Sequence, residues 1–204
     1  MKKNYLVGYK LFFALLGFSA VVTEIATLVA AGIFNPANFF SFFTIQANII
    51  AFVIFLASAF ATFAGKKSAK LDFLRGASTF FMVVTGIVFA VLLAGIENAT
   101  LTAVPWDNTV LHYLVPIAVV IDWLMDPPKT RIQFRRALAW LIFPIAYLGY
   151  SLLRGPIVDW YPYPFLNPDN GGYGTIAITS LSIMAGGLLL VYIVTRFGRA
   201  AKKK

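Results

Sequence analysis

The sequence predicts an all-α, polytopic membrane protein: a single domain over 1–204, built as a bundle of six transmembrane helices with both termini cytoplasmic. Three observations predict it. Residues of the set AVILMFWYC occupy 60% of the 204 positions, against roughly 45–50% apolar residues in soluble domains. The apolar residues fall in runs of about 20, the length that crosses a bilayer. Sixteen of the seventeen Lys and Arg residues lie at the chain ends or on alternate connections, which the positive-inside rule places in the cytoplasm.

The six spans are read at about 9–32, 38–64, 71–96, 108–126, 134–154 and 175–197. Lys2, Lys3 and Lys10 precede the first, and Lys66, Lys67, Lys70 and Arg75 join the second to the third. Lys129, Arg131, Arg135 and Arg136 join the fourth to the fifth, and Arg196, Arg199 and Lys202–Lys204 follow the sixth. The opposite face carries Glu97, Asp107, Asp159 and Asp169, with Arg154 as its lone cation. The first apolar run is too long for the core of a signal peptide, so it is expected to stay in the mature chain. The lysine tail reads as an anchor near anionic lipid heads. The expected location is the cell membrane, with any site in its outer half.

Composition excludes several chemistries. With no cysteine there are no disulfides, thiolate nucleophiles or Cys metal sites, and a single histidine rules out a site built on several imidazoles. Net charge +9 would suggest nucleic acid in a soluble protein, but here the cations are explained by topology, so no nucleic-acid partner is expected. No cofactor is expected either. With no lysine read inside a span, a retinal photoreceptor is excluded. Gly-x-Ser-x-Gly, the turn that presents a serine nucleophile, is absent.

Function is sought among polar groups at membrane depth, where each is expensive unless it faces protein or a wet cavity. Thr44 lies about 9 Å below Asn38, and His112 about 6 Å below Asn108, at 1.5 Å per residue, so the two can meet. Glu24 lies about 12 Å from the same surface, and Arg154 is at it. Asp122 is about 15 Å along the helix from His112, too far to orient it, and reads as structural. Ser41, Thr44 and Asn48 at i, i+3 and i+7 form a polar stripe on the second span. Pro116 leaves the carbonyl of His112 without its donor and Pro144 that of Trp140, bending both helices.

A hydroxyl and an imidazole at one depth are the minimum parts of nucleophilic catalysis, with Thr44 as nucleophile and His112 as base. The start of the second span supplies N–H groups for an oxyanion, with Asn38 or Ser41 as cap. Asp107, Asn108 and Glu24 are the groups that could approach His112 to hold it. Trp160-Tyr161-Pro162-Tyr163-Pro164-Phe165-Leu166 reads either as an aromatic belt at the headgroups or as a lid, with Gly171, Gly172 and Gly174 allowing movement. Arg154, Glu24, Asn48, Trp160 and Tyr163 are the expected substrate contacts.

Phe42-Phe43-Thr44, His112 followed by Pro116, and Trp160-x-x-Tyr163-Pro164-Phe165-Leu166 together resemble the androgen-induced-protein family, over nearly the whole chain. The resemblance implies six helices and short loops. It also implies an intramembrane threonine hydrolase of fatty acid esters of hydroxy fatty acids, with Thr44 and His112 at the family's catalytic positions. Arg154-Gly155 and the second Tyr-Pro look like the short bacterial branch and differ from the animal enzymes, so chemistry carries over more readily than substrate choice. The expected partners are membrane lipids and a lipid ester. Two other readings stand beside it: a small-solute or proton carrier using Glu24, and a non-enzymatic structural membrane protein.

Overall fold

The computed structural model describes residues 2–66, 68–96 and 102–197, and among these residues the regular structure is helical, without a strand. Six helices are long and apolar enough to cross a membrane: Lys3–Ala30, Phe43–Phe63, Ala69–Leu93, Pro105–Met125, Phe134–Val158 and Gly172–Phe197. Lys67, Glu97, Arg199 and the Lys202–Lys204 tail lie outside the described residues. The first span packs on the second, the second on the third, and the third on the fourth and sixth. The outside of the bundle is apolar, with Leu153, Ile157 and Ile178 each at least 70% exposed. Several polar side chains are inside: Lys10, Asn48 and Asp107 are fully buried. This inversion of the soluble pattern is what a lipid surround selects.

The second span does not start where hydropathy places it. Pro36 opens a one-turn helix, Pro36–Phe39, whose cap is the Asn35 side chain accepting from the Asn38 N–H at 3.1 Å. The Ser41 hydroxyl donates to the Ala37 carbonyl at 2.6 Å, Phe42 is extended, and a new helix begins at Phe43. Ser41, Thr44 and Asn48 are all buried, but the single helical stripe expected of them is interrupted between Ser41 and Thr44. The fifth span runs on past Arg154 to Val158, and its 3-10 segment at Leu138–Leu141 gives way to α-helix at Ile142. Pro144 thus falls in the first turn of the α-helical stretch, where a missing N–H is tolerated.

Several cations expected on connections fall within the helices, and two of them, Lys10 and Arg75, are buried. Lys10 is within the first helix and fully buried, and Arg75 is within the third and 5% exposed. The premise that no lysine lies inside a span therefore fails, at Lys3 and Lys70 near helix ends and at Lys10 in the buried interior. The Lys10 ammonium sits 2.7 Å from Asp122 Oδ1 and 2.8 Å from Asp126 Oδ2. The Arg75 guanidinium meets Asp122 at 2.7 Å and Asp72 at 3.3 Å, and Lys129 meets Asp126 at 2.7 Å. Three cations and three carboxylates thus balance, tying the first, third and fourth spans together at the end of the bundle where the basic connections gather. Asp122, 5% exposed, is held between Lys10 and Arg75.

Burial pushes the Asp126 carboxyl up, but hydrogen bonds from Lys10 and Lys129 and the Arg75 charge outweigh it and hold it at about 2. A depressed carboxylate contributes stability that is fully present above its unfolded value of about 3.9 and is lost as pH falls through the folded value. The thermal midpoint in detergent should therefore fall as the pH drops below about 4. Lys10→Met leaves two buried carboxylates short of a cation and should lower stability by about 3–5 kcal/mol. Lys3→Met, at an exposed position, should change it by less than about 0.5 kcal/mol. Unfolding followed by intrinsic fluorescence checks both.

Candidate active site

The break before Phe43 puts Thr44 in the first turn of the second span. Phe42 caps that helix without a side-chain hydrogen bond, so the first N–H groups lack intrahelical partners. One is taken from far along the chain: the Thr44 N–H donates to the Tyr163 hydroxyl oxygen at 3.1 Å. The nucleophile expected from sequence therefore stands at a helix N-terminus, where developing negative charge is favoured.

His112 lies in a π-helical turn, Val110–Leu114, followed by Pro116. In this wider register the Val115 N–H reaches the Val110 carbonyl, and it is the Leu111 carbonyl that Pro116 leaves without a donor. Asn48 supplies one: its Nδ2 donates to the Leu111 carbonyl at 3.2 Å and to the Thr44 carbonyl at 2.9 Å. One buried amide thus ties the turn bearing the histidine to the turn bearing the threonine.

The imidazole is held in one tautomer. His112 Nδ1 lies 3.1 Å from the Asn108 carbonyl, which can only accept, so Nδ1 carries the proton and Nε2 is bare. Nε2 is 3.2 Å from Thr44 Oγ1 and accepts its hydroxyl proton. Of the groups expected to hold the ring, Asn108 does so through its backbone, and the ring stacks on Phe89 with centroids 4.0 Å apart.

Tyr163 comes from the segment after the fifth span. That helix ends at Asp159 in the left-handed conformation, φ 50°, and Tyr161 then lies flat against Gly155, where a Cβ would run into its ring. Two residues on, Tyr163 turns inward, 6% exposed, stacked on Phe165 and edge-on to Phe42. Burial pushes its phenol up, and hydrogen bonds with Thr44 offset this only in part, so it stays a neutral hydroxyl. Its oxygen accepts from the Thr44 N–H. Because the Thr44 proton goes to His112, the phenol proton is the one donated to Thr44 Oγ1, at 3.2 Å.

Thr44 borders two cavities. The larger, about 800 Å³, is walled mainly by apolar side chains, among them Phe43, Val84, Val88, Leu148 and Met184, with Pro144 beside them and Tyr163, Phe165 and Leu166 closing one end. It shares Val84, Val88, Ile183 and Gly187 with a groove of about 990 Å³ on the outer surface between the third and sixth spans. The smaller cavity, about 410 Å³, brings together Thr44, His112, Tyr163, Glu24 and Thr102.

Of the remaining expected contacts, Glu24 lines the smaller cavity with both oxygens 2.9 Å from the Ala103 N–H. Arg154 borders neither cavity. It donates to Asn38 Oδ1 at 2.6 Å and lies over the Trp160 ring, which in turn packs on Phe42. Asn48 is a strut between two carbonyls. Tyr147 is a residue that sequence reasoning misses: its hydroxyl donates to the Ser41 carbonyl at 3.0 Å, steadying the break before Phe43. Its only sequence signal is a polar tip in an apolar run. No family model matches the chain, and no curated protein or solved structure matches it.

Gly155→Ala should dislodge Tyr161 and loosen the segment that carries Tyr163. Limited proteolysis between residues 159 and 171 should accelerate, whereas Gly149→Ala, which meets nothing within 4 Å, should digest like the wild type.

Proposed function

We propose that the chain is an intramembrane ester hydrolase in which Thr44 is the nucleophile and His112 its base. The observation that carries this reading is the 3.2 Å contact of Thr44 Oγ1 with a His112 Nε2 that the Asn108 carbonyl keeps bare. As Oγ1 attacks an ester carbonyl, Nε2 takes its proton and later returns it to the departing alcohol. The Thr44 N–H and the Tyr163 hydroxyl are the donors nearest to where the oxyanion forms. The larger, apolar cavity and the groove that shares its wall suit an acyl chain arriving from lipid, which supports lipid esters as the substrate class. Fatty acid esters of hydroxy fatty acids remain the members of that class implied by the family resemblance.

The same reading places both termini and the basic end in the cytoplasm, and Thr44 in the outer half of the cell membrane. Alkaline phosphatase fused after Ser68 should be inactive, and fused after Gly171 active; the reverse pattern would invert the topology. A carrier working through Glu24 is less well supported, since Glu24 is fixed on the Ala103 N–H and lines the cavity of Thr44 and His112.

In detergent-purified protein, Thr44→Ala and His112→Ala should each abolish hydrolysis of a long-chain ester, and the double variant should be no worse than either. Tyr163→Phe should lower kcat by about 10²–10³-fold, the loss typical of one oxyanion donor. Hydrolysis that survives Thr44→Ala would overturn the mechanism.

A further inference from the structure

Resting on the hydrolase reading, we propose that the smaller cavity is the water chamber of the enzyme and that Glu24 positions the water that cleaves the acyl-Thr44 ester. Hydrolysis through a covalent intermediate needs two things at one atom: an apolar place for the chain and a wet place for the second nucleophile. Thr44 is bordered by both. Besides the residues shared with the smaller cavity, the larger one has three hydroxyls on its wall, and two of them, Thr85 and Tyr147, already donate to the Phe81 and Ser41 carbonyls, leaving Ser180. A buried water needs two to four polar partners, and such walls offer few.

The smaller cavity offers them. Glu24 is 5% exposed, and the Ala103 N–H is shared between its two oxygens, each of which has a further lone pair for another donor. His112 Nε2 and the Thr44 and Tyr163 hydroxyls border the same space. Asp107, fully buried beside Glu24, is a second carboxyl group at this end of the bundle but does not line the cavity.

Once the alcohol has left, a water donating one hydrogen bond to Glu24 and the other to Nε2 has its oxygen directed at the acyl carbon. As the new C–O bond forms, the second proton passes to Nε2. As the bond from the acyl carbon to Oγ1 breaks, that proton passes to Oγ1, releasing the fatty acid and restoring the threonine. Glu24 is thus a positioning residue for deacylation alone.

A p-nitrophenyl ester of a long-chain fatty acid tests this, because its good leaving group makes acylation fast. Glu24→Leu should slow turnover by about tenfold or more, while rapid quenching and intact mass measurement show acyl-Thr44 accumulating. Glu24→Gln, which keeps the size and one acceptor oxygen, should accumulate the same adduct to a smaller extent and guards against a folding defect in the leucine variant. Slowed turnover without the adduct in either variant would overturn the proposal while leaving the hydrolase reading intact. Wild-type protein that neither turns over nor acylates at Thr44 would overturn both.

Discussion

A polar group held among apolar side chains, with lipid outside, must find its partner within the chain, and this constraint organises the bundle at both ends. At the basic end it gathers Lys10, Arg75 and Lys129 around Asp72, Asp122 and Asp126. At the other end it acts on fewer groups. The Asn108 carbonyl takes one imidazole proton, Asn48 bridges two carbonyls, and Tyr163 fills the free N–H of Thr44. Removing any one of these leaves a buried group unpaired, which is more damaging than the loss of the bond itself.

The number of spans and their approximate positions are legible in the sequence because they follow from length and hydropathy. Their ends are not. The second span starts late because Pro36 and Ser41 build a separate turn, a matter of local capping that periodicity does not report. Lys10 and Arg75 read as connecting residues because each sits within a few turns of a span end, and only tertiary structure shows the carboxylates opposite them. Depth along the helices brings Thr44 and His112 to one level, where the structure also has them in contact. Depth alone does not supply the π-helical turn, the carbonyl that fixes the tautomer, or the inward turn of Tyr163, since each depends on contacts made only when the chain is folded.

The arrangement at Thr44 joins opposed environments. An apolar cavity that shares a wall with a groove on the outer surface lies on one side, and a smaller, less apolar cavity reaching Glu24 on the other. Tyr163 borders both and arrives on the segment that closes the larger one. In the proposed mechanism, substrate access, closure and the electrostatics of the reacting oxygen are thereby linked through one side chain, while Arg154 and Trp160, paired with each other, border neither cavity.

The central claim is that His112 activates Thr44. The most direct measurement is to treat purified protein with a fluorophosphonate, digest it, and map the modified residue by mass spectrometry. The account predicts a covalent adduct on Thr44 that is lost in His112→Ala. Folded wild-type protein that stays unmodified, or that carries the adduct on another residue such as Ser41, would contradict it.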